Sequence, residues 1–235
     1  VYGDTVPIPS NIVATITGIS DTTVIIGNLE NDDTYYYRLS AIDSSGLESE
    51  KTLDVYSVPR PQKYEVNPNE TGDFISIQSA INYATEDDTL IVHNGTYSEN
   101  IDLLGKALII GSEYFTSGDP AHIASTVIDG QLNGSTITIS DISGSEIKLV
   151  GFTIQNGSAS DGGAIYCSNS NPVFENLIIK NSTASNSGGG IYLHNNSSAV
   201  LNKLTIINNS AQNGGGIYLD SSNPTITNIV LSDNT

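Results

Sequence analysis

The chain has 235 residues, 26 acidic against 8 basic, a formal net charge of −18 and one cysteine. That balance repels polyanions and lacks the clustered Lys and Arg that displace counterions from phosphates. It excludes nucleic acid as a partner and disfavours uronate polysaccharides unless a cation bridges the charges. The lone Cys167 rules out an intramolecular disulfide, and no apolar run approaches the roughly 18 residues of a membrane span.

With no methionine, an abrupt start at Val1 and no recognisable signal peptide, the chain reads as a fragment or a processed product. The first segment, to about Tyr56, alternates apolar and polar residues over 12–16, 23–26 and 35–41, with Gly, Asn and Asp clusters between. This pattern predicts antiparallel strands. Leu29 precedes Tyr35 by six residues across Glu30-Asn31-Asp32-Asp33, a spacing that suits a tyrosine corner. The run Thr34-Tyr-Tyr-Tyr-Arg-Leu-Ser-Ala-Ile-Asp-Ser-Ser-Gly-Leu-Glu-Ser49 resembles the F and G strand region of a fibronectin type III domain. Such sandwiches use seven strands in about 100 residues. The resemblance therefore implies a partial β-sandwich over residues 1–61, its opening strands expected upstream of Val1. Two prolines in Ser57-Val-Pro-Arg-Pro-Gln62, and the turn-rich Asn67-Pro-Asn-Glu-Thr-Gly72, predict a linker over 62–72.

A helix is predicted from about Ile77 to Ala84. Ser76 can cap it, and Ile77, Ala80, Ile81 and Ala84 share one face. Its expected job is to cover the apolar interior of the solenoid that follows, as terminal caps do. Short strands follow at 90–92, 101–103, 107–110, 126–128, 136–139 and 147–149. Residues Phe74–Gly111 resemble the first coil of pectate-lyase-like and pectin-methylesterase-like β-helices. The matching residues are Ile77-Gln-Ser-Ala-Ile81, Asp88-Thr-Leu-Ile-Val92, Gly95-Thr-Tyr97, Glu99-Asn-Ile101 and Lys106-Ala-Leu-Ile109. The resemblance implies a fold and is nearly silent about activity.

From Gly162 a repeat is explicit. Gly162-Gly-Ala-Ile-Tyr-Cys167, Gly188-Gly-Gly-Ile-Tyr-Leu193 and Gly214-Gly-Gly-Ile-Tyr-Leu219 are spaced by 26 residues. Such register predicts stacked coils about 4.8 Å apart. The fold class read from it is all-β: a right-handed parallel β-helix over 73–235 with coils of about 26 residues and an N-terminal capping helix. Ile165, Ile191 and Ile217 should point inward, as should Cys167, Leu193 and Leu219. Tyr166, Tyr192 and Tyr218 should then point outward as a flat aromatic strip able to stack on sugar rings, although cross-strand aromatics also stabilise sheets without any ligand. Asn176, Asn202 and Asn228 share the 26-residue spacing and are read as a structural amide ladder.

Catalytic sets known from similar folds are not recognisable. Arg38 and Arg60 lie outside the β-helix, and Lys63, Lys106, Lys148, Lys180 and Lys203 sit in no acidic cluster. From Gly162 onward only Glu175, Asp220 and Asp233 are acidic, at different places in the coil, and do not suggest the paired carboxylates of glycoside hydrolysis. Asp119-Pro-Ala-His122 resembles a motif of alginate epimerases with one acidic position missing. His93, His122 and His194 show no zinc-like spacing. Asp129, Asp141 and Asp161, with turn carbonyls, are candidate calcium ligands; solvated surface carboxylates are the plainer reading. The leading expectation is a secreted or cell-surface, non-catalytic module that presents a rigid surface to a polysaccharide or another ligand. Two rivals stand beside it: a subunit that assembles end to end into a fibre through open strand edges, and a fragment of a polysaccharide-degrading enzyme.

Overall fold

The computed structural model describes residues 1–5, 12–16, 24, 26, 29, 33–58 and 62–235. Two compact units divide the chain, residues 1–61 and 62–235.

In the first unit, three described strands form an antiparallel sheet. Tyr35–Arg38 is the central strand, flanked by Tyr2–Asp4 and Val55–Ser57. Large apolar side chains remain exposed here, Leu53 to 88% and Tyr56 to 69%. Most of the expected 23–26 strand, the 30–32 turn of the tyrosine corner and Pro59-Arg60-Pro61 fall outside the described residues.

The second unit is an all-β parallel solenoid of about seven turns. One sheet stacks Ile101–Asp102, Ile137–Ser140, Ile165–Ser168, Ile191–His194 and Ile217–Asp220, all parallel. Period-two alternation buries Ile165, Cys167, Ile191 and Leu193 and leaves Tyr166, Tyr192 and His194 half-buried on the outer face. The other walls contribute Phe174, Leu201, Ile128, Ile154, Ile179 and Ile206, all essentially inaccessible. Burying each such side chain contributes about 1.5–3 kcal/mol.

Residues 62–72, expected as a linker, instead begin the solenoid. Lys63–Val66 pairs in parallel with Thr89–Val92, and Val66 is fully buried. The buried Asp88 carboxylate accepts the Gln62 N–H at 2.6 Å and the Thr85 N–H at 2.8 Å. A single four-residue strand between two turn-rich stretches has too little periodicity to stand out from a linker.

The helix Ile77–Tyr83 buries Ile77, Ala80 and Ile81 in the solenoid core. Ser76 Oγ accepts the Ser79 N–H, and the Glu99 carboxylate accepts the Ile77 and Gln78 N–H groups, both at 2.9 Å. At the other end Lys106 Nζ donates to the carbonyls of Ile81, Asn82 and Ala84 at 2.8, 3.1 and 2.7 Å. The next coil thus satisfies both helix ends. Two further short helices, Tyr114–Ser117 and Ala121–Ser125, have no counterpart in the sequence reading.

The register departs from the uniform repeat. In the sheet carrying the tyrosines Ile137 pairs with Ile165, 28 on, before the steps settle to 26 from Ile165 to Ile191 and Ile217; elsewhere Val173 pairs with Val200, 27 on, and Val200 with Thr225, 25 on. The turn between His194 and Val200 holds one residue more than the turns before Val173 and Thr225. Asn202 therefore lies beside Glu175 and Thr227, so Asn176, Asn202 and Asn228 do not form one ladder. Asn176 and Asn228 occupy a left-handed bend shared with Gly151 and Lys203, at φ of +52, +54, +81 and +55°. Asn202 Oδ1 still accepts from Asn228 Nδ2 at 3.2 Å.

A polar ladder lies elsewhere, at the buried Ser182 and Asn209 and the half-buried Asn234. Asn209 is fully buried; its Oδ1 accepts the Ser182 N–H at 2.9 Å, and its Nδ2 donates to Ile179 O and Asn234 Oδ1, both at 3.1 Å. Ser170, Ser197 and Ser222 do the same work at another corner, each Oγ accepting a backbone N–H from the preceding coil.

Asp129 closes a third corner. Its carboxylate accepts Gln155 Nε2 and Asn156 Nδ2 at 2.8 Å and the Gln131 N–H at 3.0 Å. Burial works to raise its pKa, but the bonds from Gln155, Gln131 and Asn156 together outweigh it and hold the group below the usual carboxylate range. A lowered folded-state pKa gives stability that is complete above the unfolded value of about 3.9 and is lost as pH falls through the folded value. Acid unfolding followed by circular dichroism should show this loss below about pH 4. Asp129→Asn should lack that component and be less stable at neutral pH, because its amide places a donor against donors.

Candidate functional site

The outer face of the Ile165–Ser168, Ile191–His194 and Ile217–Asp220 strands gathers the most chemistry. Strict register places Tyr166 beside Tyr192 and Tyr192 beside Tyr218. Ring centroids lie 5.6 and 5.7 Å apart with planes inclined by 37 and 19°. At 19° and this distance Tyr192 and Tyr218 must overlap face over offset face, since coplanar rings would collide edge to edge first, while Tyr166 leans against Tyr192 at 37°. The column is thus tilted and stacked rather than the flat strip expected, with ring rims and hydroxyls along its outer side.

The glycine motif explains how the stack fits. At Gly188, with φ of +69°, a Cβ would lie 2.8 Å from Tyr192 Cβ and 2.6 Å from Ile191 O. Gly162 and Gly214 hold the same relation to Tyr166 and Tyr218. Each turn thus folds back under its own tyrosine, where only glycine fits.

Beside the stack runs a second outward column in which Ser168, His194 and Asp220 are in register. His194 lies parallel to Tyr192, 5.6 Å between centroids and 11° between planes. His194 Nδ1 is 2.9 Å from Asp220 Oδ2, which also accepts from Tyr192 OH at 3.3 Å. The hydrogen bond from His194, then that from Ser221, holds Asp220 below the usual carboxylate range. Burial, then the charges of Asp220 and Asp161, pushes the Tyr192 phenol up to about 12. The face is therefore uncharged at Tyr192 and negative at Asp220 beside it.

A family model described as a right handed beta helix region matches residues 125–235. That span contains the tyrosine stack, the histidine–aspartate pair and the buried ladders, and it agrees with the parallel coils seen in the structure. No curated protein matches the chain.

The other sequence-stated candidates separate. Asp141 accepts Asn169 Nδ2 at 2.9 Å and Asp161 accepts Asn186 Nδ2 at 2.8 Å, while Asp129 is enclosed by its amides. The structure does not gather the three, and among the described residues no group of three or more His, Cys, Asp or Glu is placed to hold a metal ion. Cys167 is fully buried, and burial pushes its thiol up to about 11, as befits a small core residue.

Sequence reading missed one cluster. His93 Nε2 faces Glu65 at 2.9 Å and His93 Nδ1 faces Glu113 at 3.1 Å; Glu113 also faces His122 Nδ1 at 3.4 Å. His122 Nδ1 bonds Asn94 Oδ1 at 2.8 Å. These contacts tie the helical insertion at 114–125 to the first coils. The available signal was spacing: Glu65, His93 and His122 are 28 and 29 residues apart, about one coil each.

Proposed function

We propose that this chain is a non-catalytic, extracellular or cell-surface β-helix module that binds a neutral carbohydrate across the Tyr166–Tyr192–Tyr218 face. The observation that carries the reading is the outward column of three tyrosines in unbroken register, bordered by His194 and Asp220. Sugar sites combine apolar contact with a few well-placed hydrogen-bonding groups. Here ring rims supply the first, and phenol hydroxyls, imidazole and carboxylate supply the second. Asp161, Asp220 and the net charge of −18 disfavour uronates and sulfated sugars, which leaves neutral glycans as the favoured class.

A glycan array tests this. Wild type should bind one or more neutral oligosaccharides, and Tyr192→Ala should lower that binding by about tenfold or more, the loss of one aromatic anchor. Equal binding by the variant, or no neutral hit for wild type, would count against it.

A further inference from the structure

Resting on the reading of the tyrosine face as a glycan surface, we propose that His194 is its specificity-determining residue: a neutral imidazole locked by Asp220 so that Nε2 accepts a hydrogen bond from a sugar hydroxyl. The carboxylate of Asp220 is acceptor-only, so the 2.9 Å contact requires the proton on His194 Nδ1. Nε2 is then left with a lone pair, and it makes no hydrogen bond among the described residues. Stacking on Tyr192 at 11° fixes the ring plane, and Tyr192 OH donates to the same carboxylate. The side chain is 34% exposed, so Nε2 can reach a ligand lying along the tyrosine rims. Holding both ring and tautomer before binding reduces the ordering cost that a mobile acceptor would carry.

Two measurements on the full chain test this. First, nitrogen-15 shifts of the labelled imidazole at about pH 8 should show Nδ1 protonated and Nε2 bare; the opposite tautomer overturns the proposal whatever the protein binds. Second, calorimetric titration at about pH 8 with the strongest neutral oligosaccharide from the array should show His194→Phe, which keeps a ring on Tyr192 but has no acceptor, binding about three- to tenfold more weakly than wild type, the worth of one hydrogen bond. Asp220→Asn should also weaken binding, by releasing the tautomer. If Tyr192→Ala abolishes binding while His194→Phe keeps wild-type affinity, the glycan reading stands and this inference fails. If no neutral oligosaccharide binds wild type, both fail together.

Discussion

Gly157→Ala should prevent the solenoid from folding stably. A Cβ at this position would sit 1.8 Å from Gly163 O and 2.7 Å from Thr136 Oγ1. Neither backbone can retreat. Thr136 N–H donates to Gly163 O at 3.2 Å, Gly163 N–H donates to Gly188 O at 2.9 Å, and Thr183 N–H donates to Gly157 O at 2.9 Å, so a shift in one coil strains its neighbours. The expected loss exceeds about 3 kcal/mol, a large share of the stability of an ordinary domain. Gly134→Ala is the control. Its side faces open space at φ of +82°, so only left-handed strain of about 1–2 kcal/mol applies. Urea unfolding should separate the two midpoints clearly; equal midpoints would mean that the coils are not packed as described.

Asn209→Leu is the second large effect. It removes a fully buried amide and takes away the acceptor of the Ser182 N–H and the side-chain donor to Ile179 O, while Asn234 Oδ1 keeps the backbone N–H of residue 209. Each buried polar group left unpaired costs about 1–3 kcal/mol, so a total above about 3 kcal/mol is expected. Asn176→Ala, at a half-buried bend, should cost only about 1–2 kcal/mol of left-handed strain. The ranking is informative because the 26-residue spacing alone makes Asn176 the ladder residue and leaves Asn209 unremarked. If Asn176→Ala proves the more damaging in denaturant titrations, the register described above is wrong.

These two pairs also show what could be read from the residues in advance. The parallel coils, the inward Ile165 and Ile191, the outward tyrosines and the cap at Ser76 all follow from periodicity and local chemistry, and the structure has them. The asparagine ladder does not, because one residue is gained between His194 and Val200 and lost again before Asn213, which pairs with Ser187 26 residues earlier. Identical residues at identical spacing then sit at different corners. Ring orientation is equally hidden: spacing places Tyr192 beside Tyr218, while the fold-back at Gly188 and the neighbouring rings turn the strip into a stack. The pairing of His194 with Asp220 was available in the 26-residue register but carries no motif, since the two become neighbours only through the coil. The contacts around His93 and Glu113 depend on short helices whose five or so residues give no usable period.

The most direct test of the ligand face is amide chemical-shift mapping as a neutral oligosaccharide is added to the full chain. Perturbations should cluster at 166–168, 192–194 and 218–220, one column across three coils. They should be absent from Val173–Lys180 and Val200–Ile207, which line other walls of the same coils. Shifts centred on those walls, or spread without regard to the tyrosine column, would contradict the assignment of this face as the binding surface.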